Sequence, residues 1–301
     1  MRRRLAPIGL VAALALPASA TADSYFTLTH PVGDIDVRAN HVAWTVTDGR
    51  GRAHLRGGFD ATAHALPVRP AASFAGIDLG TDDRGRTVLV YARCGKDERQ
   101  SCDIYLYRPT SRREHRLASV SRRGCNETKP HISRDVILLS RRGRCSGGLF
   151  VKRPGHRLRR VMRKAPVAYD FLGRTVAFAR HVGVAISEVR VLRIGRHRSR
   201  LVARAKGAFL SGPRLDAGFV YWQRSVTGIA ERGDILRRRL AGGRSETLER
   251  GGRAWVGAGG SSGDNLESFA VNRSRLFYLF GGLAGRPGFP IGLVEPAPVF
   301  R

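Results

Sequence analysis

No apolar run in this 301-residue chain is long enough to cross a bilayer, which takes roughly 20 residues. Apolar spacing of the 3.6-residue kind, sustained over three turns, is missing outside the first 20 residues, so helix is not expected to build the core. No histidine pair has H-x3-H or H-E-x2-H spacing, and no histidine follows His197. Lysine is scarce: of 53 basic residues only those at 96, 129, 152, 164 and 206 are lysine. An arginine skew of that size, beside abundant alanine and glycine, is what a GC-rich genome writes at neutral positions. Charge by itself therefore does not define a binding site.

The amino-terminal residues carry an export pattern. Arg2, Arg3 and Arg4 form a basic start, Ile8 to Leu16 a short apolar core, and Ala18-Ser19-Ala20 an A-x-A cleavage site. Residues 1–20 are read as a signal peptide and 21–301 as one domain. Without the three leading arginines, 50 basic residues face 24 acids, a charge of about +26. Such a surface attracts polyanions in general. No cysteine stands just after the apolar core to accept a lipid, and no hydrophobic tail with flanking basic residues closes the sequence, so neither end suggests a lipid anchor. The expected location is secreted, periplasmic or cell-envelope.

Four cysteines in an exported chain imply two disulfides, with three possible pairings. Cys94–Cys102 is favoured because the two flank one hairpin loop. Cys125–Cys145 is favoured because they bracket the next β unit. The spacings are not those of zinc knuckles.

Short apolar runs recur at Val42, Val88, Val136, Val176, Val220 and Leu276, at intervals of 40 to 56 residues, each preceded by a turn signal. A more alternating strand follows each run, as at Ile104–Tyr107 and Val189–Leu192, and a short basic element closes most units. His115, His156 and His197 sit at that element, 41 residues apart. Units of this kind cannot bury both faces alone, and stacking them radially is the physical solution. The apolar runs are expected to be the innermost strands. The pattern predicts an all-β, six-bladed β-propeller, with Tyr25–Thr29 closing the last blade.

The best-formed copy, Asp82 to Leu117, has Asp83-Arg-Gly-Arg86, an apolar run ending in an aromatic, a polar loop, Asp103-Ile-Tyr-Leu-Tyr107 and a turn to Arg116-Leu117. It resembles the repeats of TolB-like (WD40-like) β-propellers. The resemblance implies the propeller fold and a tendency to bind proteins or peptides, and it carries over no catalytic residue.

Candidate chemistry is thin. Gly259-Gly-Ser-Ser-Gly263 matches G-x-S-x-G but lacks a downstream histidine, so it reads as a loop. Asp78, Asp82 and Asp83, and Asp34 with Asp36, lack the spaced order of a calcium loop and read as turn chemistry. No metal, cofactor or catalytic residue is assigned. The candidate polyanion-binding residues are Arg112, Arg113, Arg157, Arg196 and Arg198, which share one turn of the repeat and so should share one face. The expected role is a monomeric, non-catalytic module for a protein or an anionic polymer such as a cell-wall glycan or lipid headgroup. Sequence-specific nucleic-acid binding is not expected, because no aromatics interleave with these arginines. The alternative is a propeller hydrolase or lyase with its site in the central channel. Acids and histidines at the channel end of the innermost strands would mark it.

Overall fold

The computed structural model describes the chain from 24 to 294, except 29–31, 39–40, 60–63, 96–101, 184, 217, 227–232, 250–264, 273–274 and 282–288, with side chains described inside 34–248. The signal segment and the Gly259–Gly263 loop lie outside the described residues.

After β1 (Ser24–Leu28), five sheets form in turn, each from four consecutive antiparallel strands. Sheet I holds β2 (Val32–Arg38), β3 (His41–Thr47), β4 (Ala53–Phe59) and β5 (His64–Ala65). Sheet II holds β6 (Ser73–Thr81), β7 (Thr87–Cys94), β8 (Cys102–Arg108) and β9 (Arg113–Arg116). Sheet III is β10 (Cys125–Ser133), β11 (Val136–Gly143), β12 (Gly148–Lys152) and β13 (Arg159–Met162). Sheet IV is β14 (Ala168–Leu172), β15 (Thr175–Val182), β16 (Ile186–Arg193) and β17 (Arg200–Lys206). Sheet V is β18 (Ala208–Asp216), β19 (Phe219–Val226), β20 (Gly233–Arg239) and β21 (Glu246–Glu249). A sixth sheet draws on both ends of the chain: β22 (Asn265–Asn272), β23 (Arg275–Gly281) and β24 (Phe289–Val294) are joined by β1 on the outer edge, Phe26 opposite Ile291.

The first strands of successive sheets lie against one another, β2 on β6, β6 on β10, β10 on β14 and β14 on β18, while β22 touches both β18 and β2. That is an all-β propeller. The apolar runs expected to be innermost are the second strands instead. The reason is coverage. A second strand is flanked by ladders on both edges and by neighbouring sheets on both faces, so Val88 to Ala92 is entirely buried, and the Tyr91 hydroxyl is its one polar side-chain group. An inner strand borders the axis and carries polar residues as well. The basic closing elements are correspondingly the fourth strands, and β9, β13 and β17 are largely solvent-facing.

Apolar clusters fill the gaps between sheets. Val88, Val90 and Leu106 of sheet II pack on Ile132, Leu139 and Phe150 of sheet III. The inner strands approach closely: a Cβ at Gly80 would lie 1.9 Å from the Ile132 carbonyl oxygen, so only glycine fits there. Cys94–Cys102 closes the β7–β8 loop, and Cys125–Cys145 ties the start of β10 to the β11–β12 loop. In an up-and-down sheet the first-to-second and third-to-fourth turns share one face, the basic face below. The disulfide loops lie on the opposite face.

Candidate functional site

Four inner strands place a charged residue between two apolar ones, two or three positions before the turn to the second strand: Ile35-Asp36-Val37, Ile77-Asp78-Leu79, Tyr169-Asp170-Phe171 and Pro213-Arg214-Leu215. The fifth has Pro130-His131-Ile132. The register shows their equivalence, since Asp36, His131, Asp170 and Arg214 pair with Ala43, Leu138, Ala177 and Tyr221 of the second strands, and Asp78 with Val90. In four of the five strands the pairing slips just upstream, between Val32 and Ile35, Phe74 and Ile77, Thr128 and His131, and Ser211 and Arg214. Bulges of this kind bend a strand and re-aim the next side chain. Gly76, Lys129 and Gly212 take positive φ within three of these bulges. Lys129 is held there by its Nζ donating to the Val167 carbonyl at 2.6 Å and by its own carbonyl accepting from the Tyr169 hydroxyl at 2.6 Å.

Each carboxylate reaches across to the next sheet. Asp36 Oδ2 accepts from the Leu79 N–H at 2.6 Å, Asp78 Oδ2 from Ile132 N–H at 2.8 Å, and Asp170 Oδ2 from Leu215 N–H at 2.6 Å. In every case the donor is the residue just after the equivalent position of the neighbouring strand. His131 Nδ1 stands 2.9 Å from Asp78 Oδ1 and 3.1 Å from Asp170 Oδ1, joining sheets II, III and IV.

The electrostatics follow from burial and proximity. Burial, reinforced by the Asp78 charge and opposed by Arg214, pushes the Asp36 carboxyl up to about 7. Burial would lower His131, but the charges and hydrogen bonds of Asp78 and Asp170 outweigh it and push the imidazole up to about 10. Asp170 goes the other way: its burial is more than offset by His131, Arg214 and the Leu215 N–H, and its carboxyl is held below the usual range. Arg214 is raised because Asp36, Asp170 and Asp78 overcome its desolvation.

Asp78, His131 and Asp170 offer ligand atoms within 4.8 Å of one another, the separation a metal ion would need. The donor set is already spent. Both Asp78 oxygens and both Asp170 oxygens accept from N–H groups, Asp170 Oδ1 also taking the Phe171 N–H at 2.7 Å. The cluster fits a ladder of joints between sheets better than a metal centre.

The acids singled out in the sequence separate. Asp78 belongs to the axis and Asp34 is exposed. Asp82 is a turn residue, its Oδ1 accepting from the N–H groups of Arg84 and Arg86 and its Oδ2 from the Arg86 guanidinium. Asp83 N–H donates to Asp135 Oδ2. His115, His156 and His197 are exposed, the first within β9 and the others in the turns after β12 and β16. His131 and Arg214 were missed by sequence reasoning. The signal that finds them is the apolar–polar–apolar triplet at 36, 78, 131, 170 and 214.

The five candidate arginines are all exposed. Arg112 and Arg113 lie where β8 turns into β9, Arg157 in the β12–β13 turn, and Arg196 and Arg198 in the β16–β17 turn. These are the equivalent third-to-fourth turns of sheets II, III and IV, so they open on the same face as the inner-strand turns that follow the axial ladder.

Fold and site together define a β-propeller with a hydrogen-bonded polar axis. No family model matches the chain, and no curated protein matches it. Solved structures do. TolB from Acinetobacter baumannii superposes with a TM-score of 0.56 at 11% identity, over 85% of this chain and 64% of TolB. The chain thus spans just under two thirds of TolB. The β-propeller domain of the Trilobed protease from Pyrococcus furiosus gives 0.52 at 10% identity, over 89% of this chain and 83% of that domain. The tricorn protease gives 0.54 at 12% identity, with 85% of this chain covering 26% of it. At such identities the likeness is one of fold, and it agrees with the TolB-like resemblance of the repeats.

Proposed function

We propose that this chain is an exported, six-bladed β-propeller, its last blade completed by β1, that works as a non-catalytic binding or scaffolding module for a protein or an anionic polymer at the cell envelope or outside the cell. The observation that carries the reading is the shared face of Arg112, Arg113, Arg157, Arg196 and Arg198. Exposed cations grouped on one face raise the local concentration of a polyanion and set a salt-dependent affinity. Under this reading the axial acids serve as joints, because their oxygens bond the neighbouring main chain. The two disulfides and the export pattern fit an oxidising compartment. Among the described residues no helix is long and apolar enough to cross a membrane.

Retention on heparin resin tests the proposal. It should fall sharply when the five arginines are changed to serine, and unchanged retention would reject it. Ring closure has its own test: a chain lacking residues 23–32 should lose its cooperative melt, and melting like the parent would remove β1 from the closure. A channel hydrolase or lyase is the second reading, and the acids and histidine of the inner strands, with the Asp36 carboxyl raised among them, favour it. It requires ester or glycoside turnover that disappears in Asp36→Asn.

A further inference from the structure

Sheets I and II do not meet as tightly as their neighbours. Between them lies a cavity of about 430 Å³, in the size range of small-molecule sites. The cause is legible in the register. The cross-strand row that starts at each axial residue runs Asp78–Val90–Leu106 in sheet II, His131–Leu138–Val151 in sheet III and Asp170–Ala177–Val191 in sheet IV. In sheet I the same row is Asp36–Ala43–Gly57, ending at His64. Sheets II and III present branched aliphatic side chains in this row and sheet IV an alanine and a valine, whereas sheet I presents a methyl group and a hydrogen. The opposite wall is the row Leu79–Leu89–Tyr107 of sheet II.

Four polar side chains line this mainly apolar cleft, His41, His64, Tyr107 and Arg112, of which the last two come from sheet II. Tyr107 lines it, and its hydroxyl has no hydrogen-bond partner among the described residues, which leaves it able to donate to a ligand. Arg112 stands at the mouth, and its charge is felt at the Tyr107 hydroxyl, where it opposes the effect of burial. The Arg112 guanidinium has no ion pair or hydrogen bond to a described residue. Glu114, the cross-strand neighbour of Tyr107, is taken up by the Arg93 guanidinium at 2.8 Å and by the Tyr91 hydroxyl. No acid is among the described residues lining the cleft.

We propose that this cleft binds a small amphiphilic carboxylate: the apolar body lies between the Leu79–Leu89 wall and the Ala43–Gly57 wall, and the carboxylate accepts from the Tyr107 hydroxyl and the Arg112 guanidinium. The apolar walls disfavour a ligand charged along its length, and Arg112, the one arginine among the described lining residues, selects an anionic head. The site shares Arg112 with the polyanion face but does not depend on that reading.

Calorimetric titration with decanoate, below its micelle concentration, tests the assignment against decanol as the uncharged probe. Decanoate should bind one per chain and about tenfold tighter than decanol, the order expected for a charge-assisted hydrogen bond. Arg112→Asn, chosen because asparagine tolerates the positive φ of this position, should bring decanoate to the level of decanol and leave decanol unchanged. Tyr107→Phe should weaken decanoate about fivefold. Ala43→Leu, which fills the cleft from β3, should abolish both while leaving heparin retention in place. Equal affinity for the two probes, or no loss in Arg112→Asn, would overturn the assignment. Binding that survives Ala43→Leu would be surface adsorption and would overturn it equally. Heparin retention lost in the five-serine variant but kept in Ala43→Leu separates the two proposals.

Discussion

Asp78→Ala is the sharpest test of the axial ladder. Asp78 is buried, accepts from the Ile132 N–H at 2.8 Å and from His131 Nδ1 at 2.9 Å, and so holds sheet II to sheet III by main chain and side chain together. Removing the carboxylate strands a buried N–H, which costs about 1–3 kcal/mol. It also leaves the imidazolium one carboxylate short; breaking a buried ion pair costs about 3–5 kcal/mol, and retention of Asp170 at 3.1 Å puts this case at the lower end. The expected loss is about 4 kcal/mol, read from urea unfolding at pH 7. The double variant Asp78→Ala, His131→Leu should lose less than the two single losses added, with a coupling of about 1–3 kcal/mol. A loss under about 1 kcal/mol for Asp78→Ala, or additive behaviour in the cycle, would refute the ladder as a structural joint.

Other expectations follow from the same geometry. Asp36 is raised to about 7, Glu127, desolvated by burial against the pull of Arg141, is also raised to about 7, and His131 is raised to about 10. Each binds its proton more tightly in the folded chain, so the stability each contributes is complete below its unfolded value and is lost as pH rises through the folded one. Asp170 and Glu188, held low, act oppositely and lose their contribution as pH falls. The melting temperature should therefore peak near about pH 5 and decline towards pH 9, and Asp36→Asn should flatten the stretch between about pH 4 and 7; a melt that rises across that range would contradict the assignment. Gly80→Ala forces the inner strands of sheets II and III apart against a 1.9 Å contact and should cost about 3 kcal/mol or more by thermal unfolding. Replacing Cys94 and Cys102 by serine opens a loop of sequence separation 8, and the Cys125–Cys145 pair one of 20. By loop length the losses are about 2.5 and about 3.3 kcal/mol, the longer loop costing more; the reverse order in unfolding would argue against the entropic account.

The repeat was legible because second strands are buried on every side and spell themselves as apolar runs, as at Val88 to Tyr91. Both disulfide pairings were legible from the loops they close. The first strands were not. Their apolar pattern is cut by a bulge and by one charged residue, so Ser73–Thr81 reads as two fragments around Gly76 and Asp78. For the same reason the acids of the axis looked like turn residues, and Asp82, which is one, stood beside Asp78, which is not. The cleft between sheets I and II was invisible in sequence, since Gly57 acquires meaning only when the register sets it against Leu106 and Val151.

The claim that one face of the propeller meets the ligand is tested most directly by removing equal charge from both faces. One variant carries serine at Arg112, Arg113, Arg157, Arg196 and Arg198. The other carries serine at Arg122, Arg123, Arg144, Arg163 and Lys164, exposed cations of the opposite-face loops and connections. Affinity for a heparin oligosaccharide is measured for both across a salt series. The first variant should lose most of the binding and most of its salt dependence, while the second stays close to the parent. Equal losses in the two would show that net charge, and no particular face, governs the interaction.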